Sequence, residues 1–211
     1  MLPCAHVVGK GKGAQMDKWG HLYKKIGPLR YQSSTGDCVP TTLLNGLTVL
    51  LERPLHPTLL KLIWSLSVDQ GTTGWVCCDA LSGLLTKWFE RAHKDEYEIP
   101  SMLRYTSRIV EGVAVHLGRN NLLDQCLRKK GVACISIGEE SSHYVLILGF
   151  ENEQYLGFNC LWDGKRTLQR LENLASYKGL VNITWTRDEL EEVITEPRKV
   201  GWRWMHLLAP K

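Results

Sequence analysis

Gly36-Asp37-Cys38-Val39-Pro40-Thr41-Thr42-Leu43-Leu44-Asn45-Gly46-Leu47-Thr48-Val49-Leu50-Leu51 is the stretch on which the reading of this chain turns. Leu43, Leu47 and Leu50, with Leu44 and Leu51, recur at three and four residues, the period of a helix with an apolar face. Asp37 stands where a capping carboxylate would sit. Pro40 is tolerable in the first turn, because the N–H it lacks would have no intrahelical partner there. The segment therefore predicts an amphipathic helix with Cys38 at its N-terminus.

On the C-terminal side, two further helices are predicted over residues 57–67 and 79–93, the second with Leu81, Leu84, Leu85, Trp88 and Phe89 on one face. Gln70-Gly71-Thr72-Thr73-Gly74-Trp75 between them reads as a connector. From about residue 103 the pattern changes to short strands over 103–109 and 113–117, then a helix over 121–130 ended by Gly131. Strands follow at 132–137, 143–150, 155–159, 181–184 and 202–208, and Tyr144 to Leu148 is apolar throughout, as in a central strand covered on both faces. Thr186-Arg187-Asp188-Glu189 has the form of a capping box opening a short helix. The predicted class is α+β, with a helical N-terminal half that carries Cys38 and a mainly antiparallel C-terminal sheet that carries His143.

On the N-terminal side, residues 1–30 hold six bases and one acid, and are expected to form a basic, flexible segment ahead of a single domain over 31–211. Gly9-Lys10-Gly11-Lys12-Gly13 lacks the spacing of a phosphate-binding loop and follows no convincing strand. Residues 31–211 hold 20 bases and 21 acids, and a neutral body argues against a nucleic-acid groove as the primary function. No apolar run approaches the roughly 20 residues of a membrane span, and the start has no signal-peptide pattern, so a cytoplasmic protein is expected. The seven cysteines include no C-x-x-C pair, which points away from a disulfide framework and a structural zinc site. Neither a cofactor nor a metal is expected.

A thiolate is the competent nucleophile, and a helix N-terminus favours it, because unpaired N–H groups and the helix dipole stabilise negative charge. Cys38 is placed for that role. An activated thiol needs a base, and the base needs a third group to hold its tautomer. His143 begins the most apolar strand, directly after the Gly138-Glu139-Glu140-Ser141-Ser142 loop, where it can stand at a cleft rim. Gln32 precedes Cys38 by six residues and Asn159 follows His143 by sixteen, giving the order Gln, Cys, His, Asn.

Tyr31-Gln32-Ser33-Ser34-Thr35-Gly36-Asp37-Cys38, and His143-Tyr144-Val145-Leu146-Ile147-Leu148-Gly149-Phe150 running on to Phe158-Asn159, resemble the papain-like cysteine peptidases of the bacteriocin leader peptidase type. The resemblance covers about residues 30–160 and implies a papain-like fold and a peptide or protein substrate. It assigns Cys38 as nucleophile, His143 as base and then acid, Asn159 as orienting residue, and Gln32 as oxyanion donor together with the Cys38 N–H. The chain departs from the family at Val39, where glycine is common, and at Asn159-Cys160, where Asp-Pro is usual. Asp163 is a rival third residue. Deamidation or acyl transfer by the same triad, and a silent peptide-binding domain, are the competing functions.

Strand parity adds one expectation. His143 and Asn159 are separated by an even number of residues, so a regular two-residue turn at Asn152-Glu153 would place them on opposite faces. An odd-length loop within residues 151–154, or a bulge near Gly157, is needed to bring them together.

Overall fold

The computed structural model describes residues 12–33, 36–57, 60, 61, 63, 64, 105–138, 143–161, 174–195 and 203–210. Four α-helices lie wholly among them, α1 (Lys12–Ile26), α2 (Cys38–Leu51), α3 (Leu122–Arg128) and α4 (Arg187–Thr195). The strands are β1 (Tyr105–Glu111), β2 (Val132–Ile137), β3 (His143–Glu151), β4 (Gln154–Asn159), β5 (Ile183–Thr186) and β6 (Trp204–Pro210). They form one six-stranded sheet in the order β1-β6-β2-β3-β4-β5, with every neighbouring pair antiparallel. Residues 57, 60, 61, 63 and 64 are helical, within the predicted 57–67. The predicted helix at 79–93, the 70–75 connector and Asp163 lie outside the described residues.

Two cores sit on the two faces of the sheet. Tyr144, Leu146 and Leu148 of β3, with Leu156 and Phe158 of β4, pack against α1 and α2. Val145 and Ile147 of β3, with Ala133, Ile135 and Tyr155, pack against Leu123 and Cys126 of α3 and Leu190 and Ile194 of α4. Alternate side chains of β3 thus enter different cores, and the strand is apolar without interruption because neither face meets water. Helix α2 lies close to the sheet: a Cβ on Gly46 would stand only 3.1 Å from Leu146 Cδ1. Residues Cys38 to Leu47 are all buried, so this helix is a core element rather than one with a solvated face.

The expectation of a flexible segment over 1–30 is corrected for its second half. Residues 12–26 form α1, and Trp19, Leu22, Ile26 and then Leu29 enter the core. Trp19 meets Tyr177 edge-on, with ring centroids 5.6 Å apart. Lys18, Lys24 and Lys25 lie on the exposed side, where Lys25 pairs with Glu52 and Lys18 reaches Glu151 at 3.7 Å. Basic content masked a helix whose apolar positions are spaced at three and four residues, as Trp19, Leu22 and Ile26 are.

Smaller differences have local causes. The predicted strand at 113–117 is instead a single 3-10 turn, Gly112–Ala114, followed by extended chain; Gly112 has φ +59° and turns the backbone away from β1. Helix α3 is shorter than predicted. Asn121 caps it by accepting from the Asp124 N–H at 2.8 Å, and Lys130 rather than Gly131 takes the left-handed conformation at its end, with φ 59°. The capping box at the start of α4 forms as read, with Thr186 N–H donating to Glu189 at 2.7 Å and Glu189 N–H to the Thr186 hydroxyl at 3.3 Å.

Candidate active site

Cys38 is the first residue of α2. Asp37 does not cap the helix with its side chain as its position suggested. Its carboxylate accepts from the Ser33 N–H at 3.1 Å and from the Ser33 hydroxyl, while its main-chain carbonyl receives Thr41 N–H at 3.0 Å. The side-chain oxygens are therefore turned away from the helix N–H groups. Burial pushes the Cys38 thiol up from its ordinary value; the N–H groups of Tyr144, Val39 and Cys38 itself pull the other way, and the Asp37 charge adds to the rise. The net direction is opposite to the lowering expected from a helix N-terminus alone, because desolvation of the thiolate outweighs the dipole. Elsewhere burial drives Cys126 to about 12 and Cys160 to about 11.

Tyr144 N–H, which reaches the thiol, belongs to the residue directly after His143. The hairpin β3–β4 then sets the partner of that histidine. Asn152 and Glu153 form a two-residue turn with φ 49° and 63°, the conformation that suits a tight hairpin. Leu148 is an extra residue on β3: Ile147 faces Gly157 but Gly149 faces Leu156. This bulge shifts the register by one, so that Val145 faces Asn159 and His143, two residues from Val145, shares its face. The alternation of side chains along each strand requires such a shift. The extra residue lies on the strand opposite Gly157, and Gly157 has another reason to be glycine, since a Cβ there would come within 2.4 Å of Trp185 Cζ3.

His143 Nε2 lies 2.8 Å from Asn159 Oδ1, and Leu161 N–H donates to the same oxygen at 2.8 Å. A backbone N–H only donates, so the atom facing Leu161 is the amide oxygen and not the nitrogen. His143 must then present Nε2–H to it, which makes Nδ1 the basic nitrogen of the neutral ring. Burial lowers the His143 pKa, and the Asn159 bond raises it by a smaller amount. Cys38 and His143 thus both favour their neutral forms in the unliganded protein.

Gln32 N–H donates to the Cys160 carbonyl at 2.9 Å, and the Cys160 thiol donates back to Gln32 Oε1 at 3.3 Å. The same thiol lies 3.8 Å from the Cys38 carbonyl and 3.5 Å from the Thr42 hydroxyl. Thr42 Oγ1 donates to the Tyr144 carbonyl at 3.2 Å, tying the first turn of α2 to the start of β3. Gln32 and Cys38 are thereby tied to Cys160 and Tyr144, the chain neighbours of Asn159 and His143.

Two further residues were not read from sequence: Cys160, and Asn182, whose side chain accepts from the Asn159 N–H at 2.7 Å and donates to the Asn159 carbonyl at 2.8 Å. Cys160 reads in sequence only as a departure from proline, since the partners of its thiol, Gln32, Cys38 and Thr42, lie far earlier in the chain. Asn182 carried a usable signal: it is a lone amide in Leu180-Val181-Asn182-Ile183, and a polar group in an apolar run needs a specific partner once buried. No family model, curated protein or solved structure matches the chain. Among the described residues, no helix is long and apolar enough to cross a membrane.

Proposed function

We propose that this protein is a cytoplasmic thiol peptidase of the papain-like, bacteriocin leader peptidase type, cleaving an amide in a peptide or protein. The observation that carries the reading is Asn159 Oδ1, which holds His143 by Nε2 and so leaves Nδ1 as the base, on the residue directly before the backbone N–H that reaches Cys38. Cys38 Sγ attacks the substrate carbonyl carbon as its proton passes to His143 Nδ1. The displaced electron pair rests on the carbonyl oxygen, which accepts from the Cys38 N–H and the Gln32 amide. Collapse breaks the C–N bond, and His143 returns the proton to the leaving amine. Water, deprotonated by His143, then adds to the thioester carbonyl; the C–S bond breaks to release the acid, and His143 returns the proton to Cys38 Sγ.

Because both groups are neutral at rest, proton transfer accompanies attack rather than preceding it. An amide donor at Gln32 suits this chemistry, since it stabilises the oxyanion without a charge that would disturb the thiol and imidazole. Mass spectrometry of candidate peptides after incubation with wild type and Cys38→Ala tests the reading. Cleavage products that disappear in Cys38→Ala support it. A small mass gain on a side-chain amide, or an amine adduct, would replace it with deamidation or transfer by the same residues. Binding with unchanged peptide mass would leave a silent peptide-binding domain.

A further inference from the structure

Beyond the triad, the end of β4 is held by a side chain that stands in for a missing strand. The ladder between β4 and β5 runs from Gln154↔Thr186 to Gly157↔Ile183 and stops there, short of Asn159. At the next positions Asn182, 2% exposed, turns its side chain to the Asn159 backbone. Asn182 Oδ1 accepts from the Asn159 N–H at 2.7 Å and Asn182 Nδ2 donates to the Asn159 carbonyl at 2.8 Å. Its own N–H still donates to the Gly157 carbonyl at 3.0 Å, so the residue leaves the ladder by main chain and continues it by side chain. Nδ2 also lies 3.4 Å from the Tyr31 hydroxyl, on the residue before Gln32.

We infer that Asn182 is a positioning residue: it fixes the Asn159 backbone on both polar groups, and through it the His143 tautomer, while linking that strand end to the Tyr31-Gln32 segment. A primary amide matches a peptide group in having one acceptor and a donor side by side, so it satisfies both Asn159 groups as a neighbouring strand would. With Cα of Asn159 held, its Oδ1 meets Leu161 N–H and His143 Nε2 together. Release of that clamp lets the Asn159 side chain turn, and Nδ1 and Nε2 of His143 then compete for the proton.

This inference rests on the thiol reading for its meaning in catalysis, but the tautomer is measurable without substrate. Asn182→Ala, Asn182→Ser, Asn159→Ala and the double variant Asn159→Ala/Asn182→Ala would be compared with wild type. Ser is included because its hydroxyl can still serve one of the two Asn159 groups. Nitrogen NMR of the His143 ring should show the Nε2–H form in wild type and a mixture of tautomers in Asn182→Ala. Iodoacetamide labelling of Cys38 near neutral pH should slow by about tenfold in Asn182→Ala, the scale of a lost hydrogen bond, and less in Asn182→Ser. The double variant should label no more slowly than Asn159→Ala, since a residue acting through another adds nothing once that other is gone.

A folded Asn182→Ala with the wild-type tautomer and labelling rate would overturn the inference while leaving the thiol reading intact. Additive losses in the double variant would overturn it also. Failure of both Asn182 variants to fold where Asn159→Ala folds would make Asn182 a residue of the fold alone. If wild type and His143→Ala label Cys38 at the same rate, the thiol reading fails, and the tautomer measurement still decides whether Asn182 acts through Asn159.

Discussion

Gln32 separates two demands that a single side chain can meet at once. Its Oε1 accepts a hydrogen bond from the Cys160 thiol, and its main-chain N–H donates to the Cys160 carbonyl, so both ends of the residue are tied to the loop after β4. Replacing the amide with a methyl group removes a proposed oxyanion donor without altering a charge. Gln32→Ala is expected to lower kcat by about 100-fold with little change in KM, as loss of an oxyanion donor does. Steady-state kinetics on a cleaved peptide checks this, and a rise in KM alone would move Gln32 to substrate binding. Cys38 itself should label with iodoacetamide faster than Cys126, since three N–H groups oppose its burial whereas Cys126 meets the Leu208 backbone and the Lys129 charge. Because burial still raises the Cys38 thiol, its labelling rate should keep climbing above neutral pH instead of levelling off. Equal rates at Cys38 and Cys126, read by peptide mapping, would contradict the assignment of a privileged thiol.

At the scale of elements, the β3–β4 hairpin decides whether the imidazole finds its amide. Leu148 is the extra residue, with pairs Ile147↔Gly157 on one side and Gly149↔Leu156 on the other. Deleting Leu148 closes the bulge and leaves both pairs opposite each other, so Val145 still faces Asn159 and His143 keeps its side. The deletion is therefore expected to preserve the Nε2–H tautomer of His143 and lower stability by roughly 2 kcal/mol, the scale of a buried leucine. Urea unfolding and ring NMR check the two parts, and loss of the tautomer with the fold retained would show that the bulge geometry itself is needed. The need for a register shift was legible in sequence because alternation is a counting rule. Its location was not, because a bulge with a leucine at the extra position is set by packing: Leu148 is buried beside Leu146 and Leu156 in the core under α1 and α2. In the same way the leucine period revealed α2, whereas the orientation of Asp37 depended on Ser33 and could not be read from a preference for capping residues.

For the whole molecule, sequence gave the broad order of helices and strands but hid what covers the sheet, because which face a helix covers is decided by residues distant in the chain. Helix α1 shows the consequence: its basic surface suggested a tail, yet Trp19, Leu22 and Ile26 are buried in one core and Trp19 meets Tyr177, so deletion of residues 1–27 is expected to abolish cooperative unfolding. A truncated chain with a wild-type melt would return α1 to the status of an appendage. The other long-range feature concerns His206, on β6 between β1 and β2 in the sheet. Its Nε2 lies 2.7 Å from the Ser107 hydroxyl, and burial pushes its pKa down from 6.5 to about 4. The unfolded chain takes up this proton near the ordinary histidine value, while the folded chain refuses it until much lower pH. The contribution of neutral His206 to stability is therefore complete above 6.5 and lost progressively as pH falls toward 4, by at most on the order of 3 kcal/mol. His143, also lowered by burial, acts with the same sign. Asp124 acts only further down: burial raises its carboxyl, but bonds from Tyr155, Arg187 and Asn121 outweigh that and hold it below 3.8, so its contribution is lost below that value. Urea midpoints measured at pH about 7 and about 4.5 should differ in wild type and differ less in His206→Gln, whose neutral amide can still meet the Ser107 hydroxyl. Equal losses of stability in the two proteins would mean that His206 does not resist protonation in the fold, and the acid sensitivity in this range would then belong to His143.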